Sequence, residues 1–157
     1  MSNAFDQNAV VAYCAMEVER QHDGPLQVAD MWRAWHHAFI RSRGSEHDPR
    51  PSVWDLSEMA HLIRPDKNPW AHPGLTYRRT PVTFNQITGP APPAAEIVSG
   101  AVDRLWRHAS DAEADELIKA LLDIHPWADG NGRVASIARN WLMGTLLQPT
   151  PLPRYYP

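Results

Sequence analysis

Two apolar helical patterns are separated by His125-Pro126-Trp127-Ala128-Asp129-Gly130-Asn131-Gly132-Arg133, a stretch too polar and too glycine-rich to be packing. Before it, Leu117, Ile118, Leu121, Leu122 and Ile124 recur at helical spacing, and after it so do Val134, Ile137, Ala138, Trp141, Leu142 and Leu146. A chain of this kind must bury both helices and hold the polar turn between them. Proline disfavours helix at the residue before it, which places His125 at or just past a helix C-terminus. In Asp129-Gly130-Asn131-Gly132, two glycines and two Asx residues accept positive φ, and the helix is expected to resume at Arg133 and run to Leu147. Amide N–H groups at such a helix start carry the positive end of the macrodipole, a suitable cradle for phosphate oxygens.

The remainder of the chain is mostly helical in pattern. Gln7 to His22 and Leu26 to Arg43 each show one apolar face, ended by Asp23-Gly24-Pro25 and by Gly44. A shorter helix is expected after Asp48-Pro49 or Arg50-Pro51, carrying Trp54, Leu56, Met59 and Leu62. The segment from Leu75 to Gly89 is β-branched and aromatic with an internal proline, which predicts an edge hairpin, the one β-element. Such an edge can pair with an extended segment of another protein, and equally it can be a solvated loop. A helix then carries Val98, Val102, Leu105 and Trp106, and Ser110-Asp111-Ala112-Glu113 predicts a capping box for the next. The tail from Gln148 to Pro157, rich in proline, is expected either as an extended strap or frayed. These elements predict one domain over residues 1–157, with its core over about 26–148.

Net charge is −3, which argues against a general nucleic-acid binder. No apolar run approaches the length of a membrane span and no signal-peptide pattern opens the chain, so a cytoplasmic location is expected. The single cysteine, Cys14, excludes an internal disulfide and fits a buried apolar role. His36 and His37 are adjacent, about 100° apart on a helix, and cannot ligate one metal from one face.

Within the central stretch, His125 has the chemistry of a general base, because imidazole titrates near neutrality. Asp129 offers a hard oxygen of the kind magnesium takes beside phosphate oxygens. Arg133, in the first helical turn, can stabilise charge on a transferring phosphoryl group. Base, metal ligand and cation within nine residues point to phosphoryl or nucleotidyl chemistry.

The stretch resembles the signature of the Fic family, His-Pro-Phe-x-[Asp/Glu]-Gly-Asn-Gly-Arg-x-x-Arg, with Trp127 in place of phenylalanine. Pro73-Gly74-Leu75-Thr76-Tyr77-Arg78 and Pro92-Pro93-Ala94-Ala95-Glu96-Ile97 resemble the family's flap entrance and the start of its following helix. The resemblance implies a compact, mainly α Fic-type domain with one β-hairpin flap. It implies magnesium-dependent transfer of AMP, or another nucleoside monophosphate, from a triphosphate such as ATP to a Ser, Thr or Tyr hydroxyl of a protein substrate. In that scheme His125 is the base, Asp129 holds magnesium, Gly130, Asn131 and Gly132 form the anion hole, and Arg133 contacts the distal phosphates. Tyr77, Arg78, Val82, Thr83 and Phe84 belong to the flap that docks the target.

The final arginine of the signature falls on Ser136. Arg139, one turn on, is the candidate to reach back and replace it. The related Doc kinases also lack that arginine and transfer the γ-phosphoryl group, so protein phosphorylation is the alternative; a catalytically weak nucleotide- and protein-binding module is another. The family's restraining [Ser/Thr]-x-x-x-Glu-[Gly/Asn] pattern finds its spacing at Ser42 to Glu46, but His47 is the wrong last residue and Gly44 breaks the helix it needs, which leaves control to a separate inhibitory protein or to none.

Overall fold

The computed structural model describes residues 7–21, 23–44, 50–71, 75–82, 93–108 and 113–155. Among these residues lie six α-helices: α1 (Gln7–Arg20), α2 (Leu26–Gly44), α3 (Val53–Ile63), α4 (Val98–Arg107, preceded by a 3-10 turn Ala95–Ile97), α5 (Ala114–Ile124) and α6 (Asn131–Met143). The mainly helical class expected from the apolar periodicity is what the chain adopts. Among the described residues no helix is long and apolar enough to cross a membrane.

Helix α6 is the central element, packed against α2, α3 and α5, while α1 covers α2 and α4 lies on α5. Its residues Arg133 to Trp141 are all buried, the pattern of a helix surrounded by others rather than lying on a surface. It starts at Asn131, two residues earlier than expected, with Gly130 as its cap at φ 82°. It also ends earlier than Leu147, because Gly144 turns left-handed at φ 72°. There the Gly144 amide donates to Trp141 O (3.1 Å) and the Thr145 amide to Asn140 O (2.8 Å), a Schellman closure.

The capping box lies elsewhere than expected. At α3, Ser52 Oγ accepts from the Asp55 amide (3.1 Å) and Asp55 Oδ2 accepts from the Ser52 amide (2.9 Å). Asp55 is buried and also receives Arg41 Nε (3.0 Å) from α2. Burial alone would raise its carboxyl, but His37, Ser52 and Arg41 outweigh that and hold it below the usual range. At α5, Glu113 is the extended residue before the helix and makes no side-chain cap. The other members of the box predicted there lie outside the described residues.

The tail over 149–155 is a strap. Asn140 Oδ1 accepts from the Thr150 amide (2.8 Å), Asn140 Nδ2 donates to Thr150 O (3.0 Å), and Tyr155 OH donates to Asp115 Oδ1 (2.6 Å). Three tryptophans act as core rods with satisfied polar tips: Trp35 to Leu146 O (2.9 Å), Trp106 to Pro51 O (2.6 Å) and Trp127 to Thr76 Oγ1 (3.1 Å). Cys14 is fully buried, and burial followed by the nearby Glu17 pushes its thiol up to about 12, as suits a packing residue.

Candidate active site

The expected junction of two helices is present. His125 closes α5 in a left-handed conformation (φ 52°, ψ 63°), with its amide donating to Leu121 O (3.1 Å). Six residues later α6 begins, and its first ladder bond runs from the Val134 amide to Gly130 O (2.9 Å). The amides of Asn131, Gly132 and Arg133 therefore lie ahead of the ladder, at the positive end of the most buried helix.

This turn is held from four directions. Asn131 staples it internally, Oδ1 accepting from the Trp127 amide (3.0 Å) and Nδ2 donating to Trp127 O (2.8 Å). Trp127 is fully buried, its ring 6.1 Å from that of Tyr77. Asn68, also fully buried, donates to Asp129 O and to Ala60 O (both 2.9 Å), tying the turn to α3. Arg78 closes the opposite side: Nε donates to His125 O (2.6 Å), Nη2 to Ile124 O (3.2 Å) and Pro93 O (2.6 Å), and Nη1 to Thr80 O (3.0 Å). Its own amide donates to Pro126 O (2.7 Å). A buried cation thus sits on the carbonyl end of α5, where the macrodipole is negative.

Of the two motif glycines only Gly130 takes positive φ. A Cβ there would also stand 2.9 Å from Ile63 Cγ2, so both conformation and space exclude a side chain. Gly132 is helical, and a Cβ on it would meet the Gln21 carboxamide at 3.1 Å. The end of α1 therefore lies over the anion cradle.

The charged residues form one network. Asp129 Oδ2 accepts from Arg64 Nη1 (2.6 Å), and Oδ1 accepts from the Gly130 amide (2.7 Å) and Arg133 Nη2 (3.4 Å). Arg133 reaches Asp23 Oδ2 (2.9 Å) and donates to Gln27 Oε1 (3.3 Å), and its side chain is 1% exposed. Arg64 is raised in pKa by its hydrogen bond to Asp66 and by the charges of Asp129 and Asp23, against the opposing effect of burial. His125 is shifted the other way. Burial, then the neighbouring Arg78 charge, lower its pKa below the ordinary 6.5, against the weaker pull of Asp129.

Several expectations need correction. Arg139 does not reach the cradle. Its Nε donates to Asp115 Oδ1 (2.7 Å) at the start of α5, about 15 Å along that helix from His125, and its Nη1 to Thr150 Oγ1 (3.1 Å) in the tail. Ser136, where the second signature arginine would stand, is fully buried with its Oγ 2.5 Å from Tyr13 OH. Tyr77 and Arg78, expected on a docking flap, are 7% and 3% exposed and serve the core and the α5 terminus. No β-strand occurs among the described residues; Val82 is half-buried, and the rest of the expected hairpin, residues 83–89 with Thr83 and Phe84, lies outside them. Asp129, expected to hold magnesium, accepts from Arg64 through Oδ2 and from the Gly130 amide and Arg133 through Oδ1, so two guanidinium groups flank it. In that arrangement the fixed positive charge on either side opposes a divalent cation at this carboxylate.

Arg64, Asn68, Asp23 and Gln27 escaped sequence reasoning. Arg64 had one faint signal, its place before Pro65 at the expected end of a helix. Asn68 lies in a proline-rich loop with nothing to mark it.

No protein-family model and no curated protein matches this chain. A solved structure titled "Crystal Structure of IbpAFic2" is similar to it, with a TM-score of 0.53 at 19% identity over 98% of this chain and 53% of that one. The likeness establishes a Fic-type fold. The chain spans about half the length of that structure.

Proposed function

We propose that this chain is a protein nucleotidyltransferase that moves a nucleoside monophosphate, AMP from ATP in the simplest case, onto a Ser, Thr or Tyr hydroxyl of a target protein. The observation that carries the reading is the placement of His125. A half-buried imidazole, biased toward its neutral form, closes one helix, and the first-turn amides of the next, ahead of its ladder, begin six residues later on the same stapled turn. A base and an anion cradle on one rigid loop suit attack of a hydroxyl on a bound phosphate.

In this scheme the triphosphate lies against the amides of Asn131, Gly132 and Arg133. The target hydroxyl oxygen forms a bond to the α-phosphorus, the bond from that phosphorus to the bridging oxygen breaks, and pyrophosphate leaves. His125 takes the hydroxyl proton. No step is assigned to a metal ion on Asp129, whose carboxylate lies between two guanidinium groups. Gln21 lies over Gly132, so the α1 end must shift its side chain to admit a phosphate.

The second reading is transfer of the γ-phosphoryl group. Ser136 favours it, since a buried hydroxyl bonded to Tyr13 leaves no second signature cation to set the nucleotide's orientation. Parallel incubation of a lysate with α-labelled and γ-labelled ATP separates the two. Protein-bound label from the α position alone is the expected result. Label from the γ position alone would replace the proposal with phosphorylation, and ATP binding without any transfer would reduce the chain to a binding module.

The His125 shift has a pH consequence. Because the folded pKa is depressed, the neutral base persists as pH falls below 6.5, and the acid limb of the transfer rate should lie under that value. The same shift means the unfolded chain binds more protons just below pH 6.5, so the group costs stability there. A rate profile whose acid limb sits above 6.5 would remove His125 from the role of base.

A further inference from the structure

We propose that Arg64 is the second phosphate-holding cation of this site, supplying at Asp129 the positive charge that a metal ion would otherwise bring. The inference rests on the nucleotide reading above and concerns how this chain meets its charge requirement. A triphosphate carries several negative charges, and the cradle amides with one arginine leave much of that uncompensated. Ser136 has no charge, and Arg139 is committed to Asp115 and the tail. Arg64 stands where the compensation is needed, its Nη1 2.6 Å from the carboxylate of the motif aspartate.

Its geometry suits the task. Arg64 caps α3, and its carbonyl accepts from the Lys67 (3.1 Å) and Asn68 (2.9 Å) amides, so its backbone is fixed by the same loop that sends Asn68 onto Asp129. One edge of the guanidinium is anchored on Asp129. The other edge, Nε and Nη2, is occupied by Asp66 in a two-pronged pair, both bonds 3.2 Å. Asp66 is 65% exposed there, against 17% for the arginine. That carboxylate stands largely in solvent, where it can exchange, and a phosphate presents the same two-oxygen face with more charge. Asp66 is a place-holder for that phosphate. Arg133, at 1% exposure and bonded to Asp23, Gln27 and Asp129, is by contrast the fixed inner cation.

Isothermal titration of the full chain with ATP and with adenosine, in EDTA and in magnesium, tests this. The wild-type chain should bind ATP in EDTA more tightly than adenosine and gain less than about threefold from magnesium. Arg64→Gln should weaken ATP by about tenfold or more and leave adenosine unchanged, the size expected for a lost charge-assisted pair. Arg64→Lys should fall between, keeping charge without the fork. Asp66→Asn, at an exposed side chain that does not endanger folding, should tighten ATP severalfold. Equal ATP affinity in wild type and Arg64→Gln would overturn the role of Arg64 while leaving the nucleotide reading intact. So would an Asp66→Asn chain with unchanged affinity, or a wild-type affinity that rises tenfold with magnesium. A wild-type chain that binds no ATP in either buffer would overturn both readings.

Discussion

A His125→Asn chain is expected to lose protein labelling from α-labelled ATP by ~10²–10⁴-fold, the usual worth of a positioned general base, with little change in melting temperature. Asparagine is the substitution of choice because position 125 is left-handed, at φ 52°, and asparagine tolerates that region better than alanine. It leaves in place the bond from Arg78 Nε to the residue 125 carbonyl and the backbone bond from the 125 amide to Leu121 O. What it removes is the imidazole, whose burial beside Arg78 biases it to the neutral form that accepts a proton. Initial rates and a thermal melt on the same preparation check the expectation. A variant that labels its targets at the wild-type rate would end the assignment of the base, whatever its stability.

Arg78→Met should have the largest effect on stability. The side chain is 3% exposed and donates to four carbonyls, those of Thr80, Pro93, Ile124 and His125. Methionine fills part of the volume but strands those acceptors, two of them at the end of α5. Losing a buried, charge-assisted cluster costs about 3–5 kcal/mol, which for a domain of this size lowers the melting temperature by roughly 10 °C. Arg78→Lys should recover little, because an ammonium cannot fork across four acceptors. Activity should fall with stability, since the His125 carbonyl loses its donor and the turn loses one of its four supports. Differential scanning calorimetry of the three proteins decides the matter, and a shift under 2 °C for Arg78→Met would show that the carbonyls are satisfied some other way.

These two residues differ in how they could be found. His125 was legible because its position depends on local rules: proline after it, an apolar helix before it, glycines beyond. Arg78 was read as a flap residue because a β-branched, aromatic segment looks like an edge strand. The segment entering it is instead drawn into the core, where Thr76 bonds Trp127 and Tyr77 packs beside it. A buried arginine on a helix terminus and an exposed arginine on a strand edge have the same sequence around them, and only the position of α5 distinguishes them. Arg139 misled for a similar reason. Helical spacing put it one turn from Ser136, but Asp115 and the tail, 24 and 11 residues away in sequence, claim its donors.

By itself the sequence determined the helical class, the junction of α5 and α6, a turn built of residues that accept positive φ, and the presence of an imidazole, a carboxylate and an arginine on that turn. All of these follow from interactions spanning a few residues: apolar periodicity, proline and glycine stereochemistry, and the free amides at a helix start. The tertiary structure decided what each charge faces. Asp129 meets Arg64 across 65 residues, Arg133 meets Gln27 across 106, and Ser136 meets Tyr13 across 123. Ion pairing is set by distances of a few ångströms and by local burial, quantities that packing fixes and local sequence does not encode. That is why the turn could be recognised from its residues, while the identity of its second cation became visible only once α3 was packed beside it.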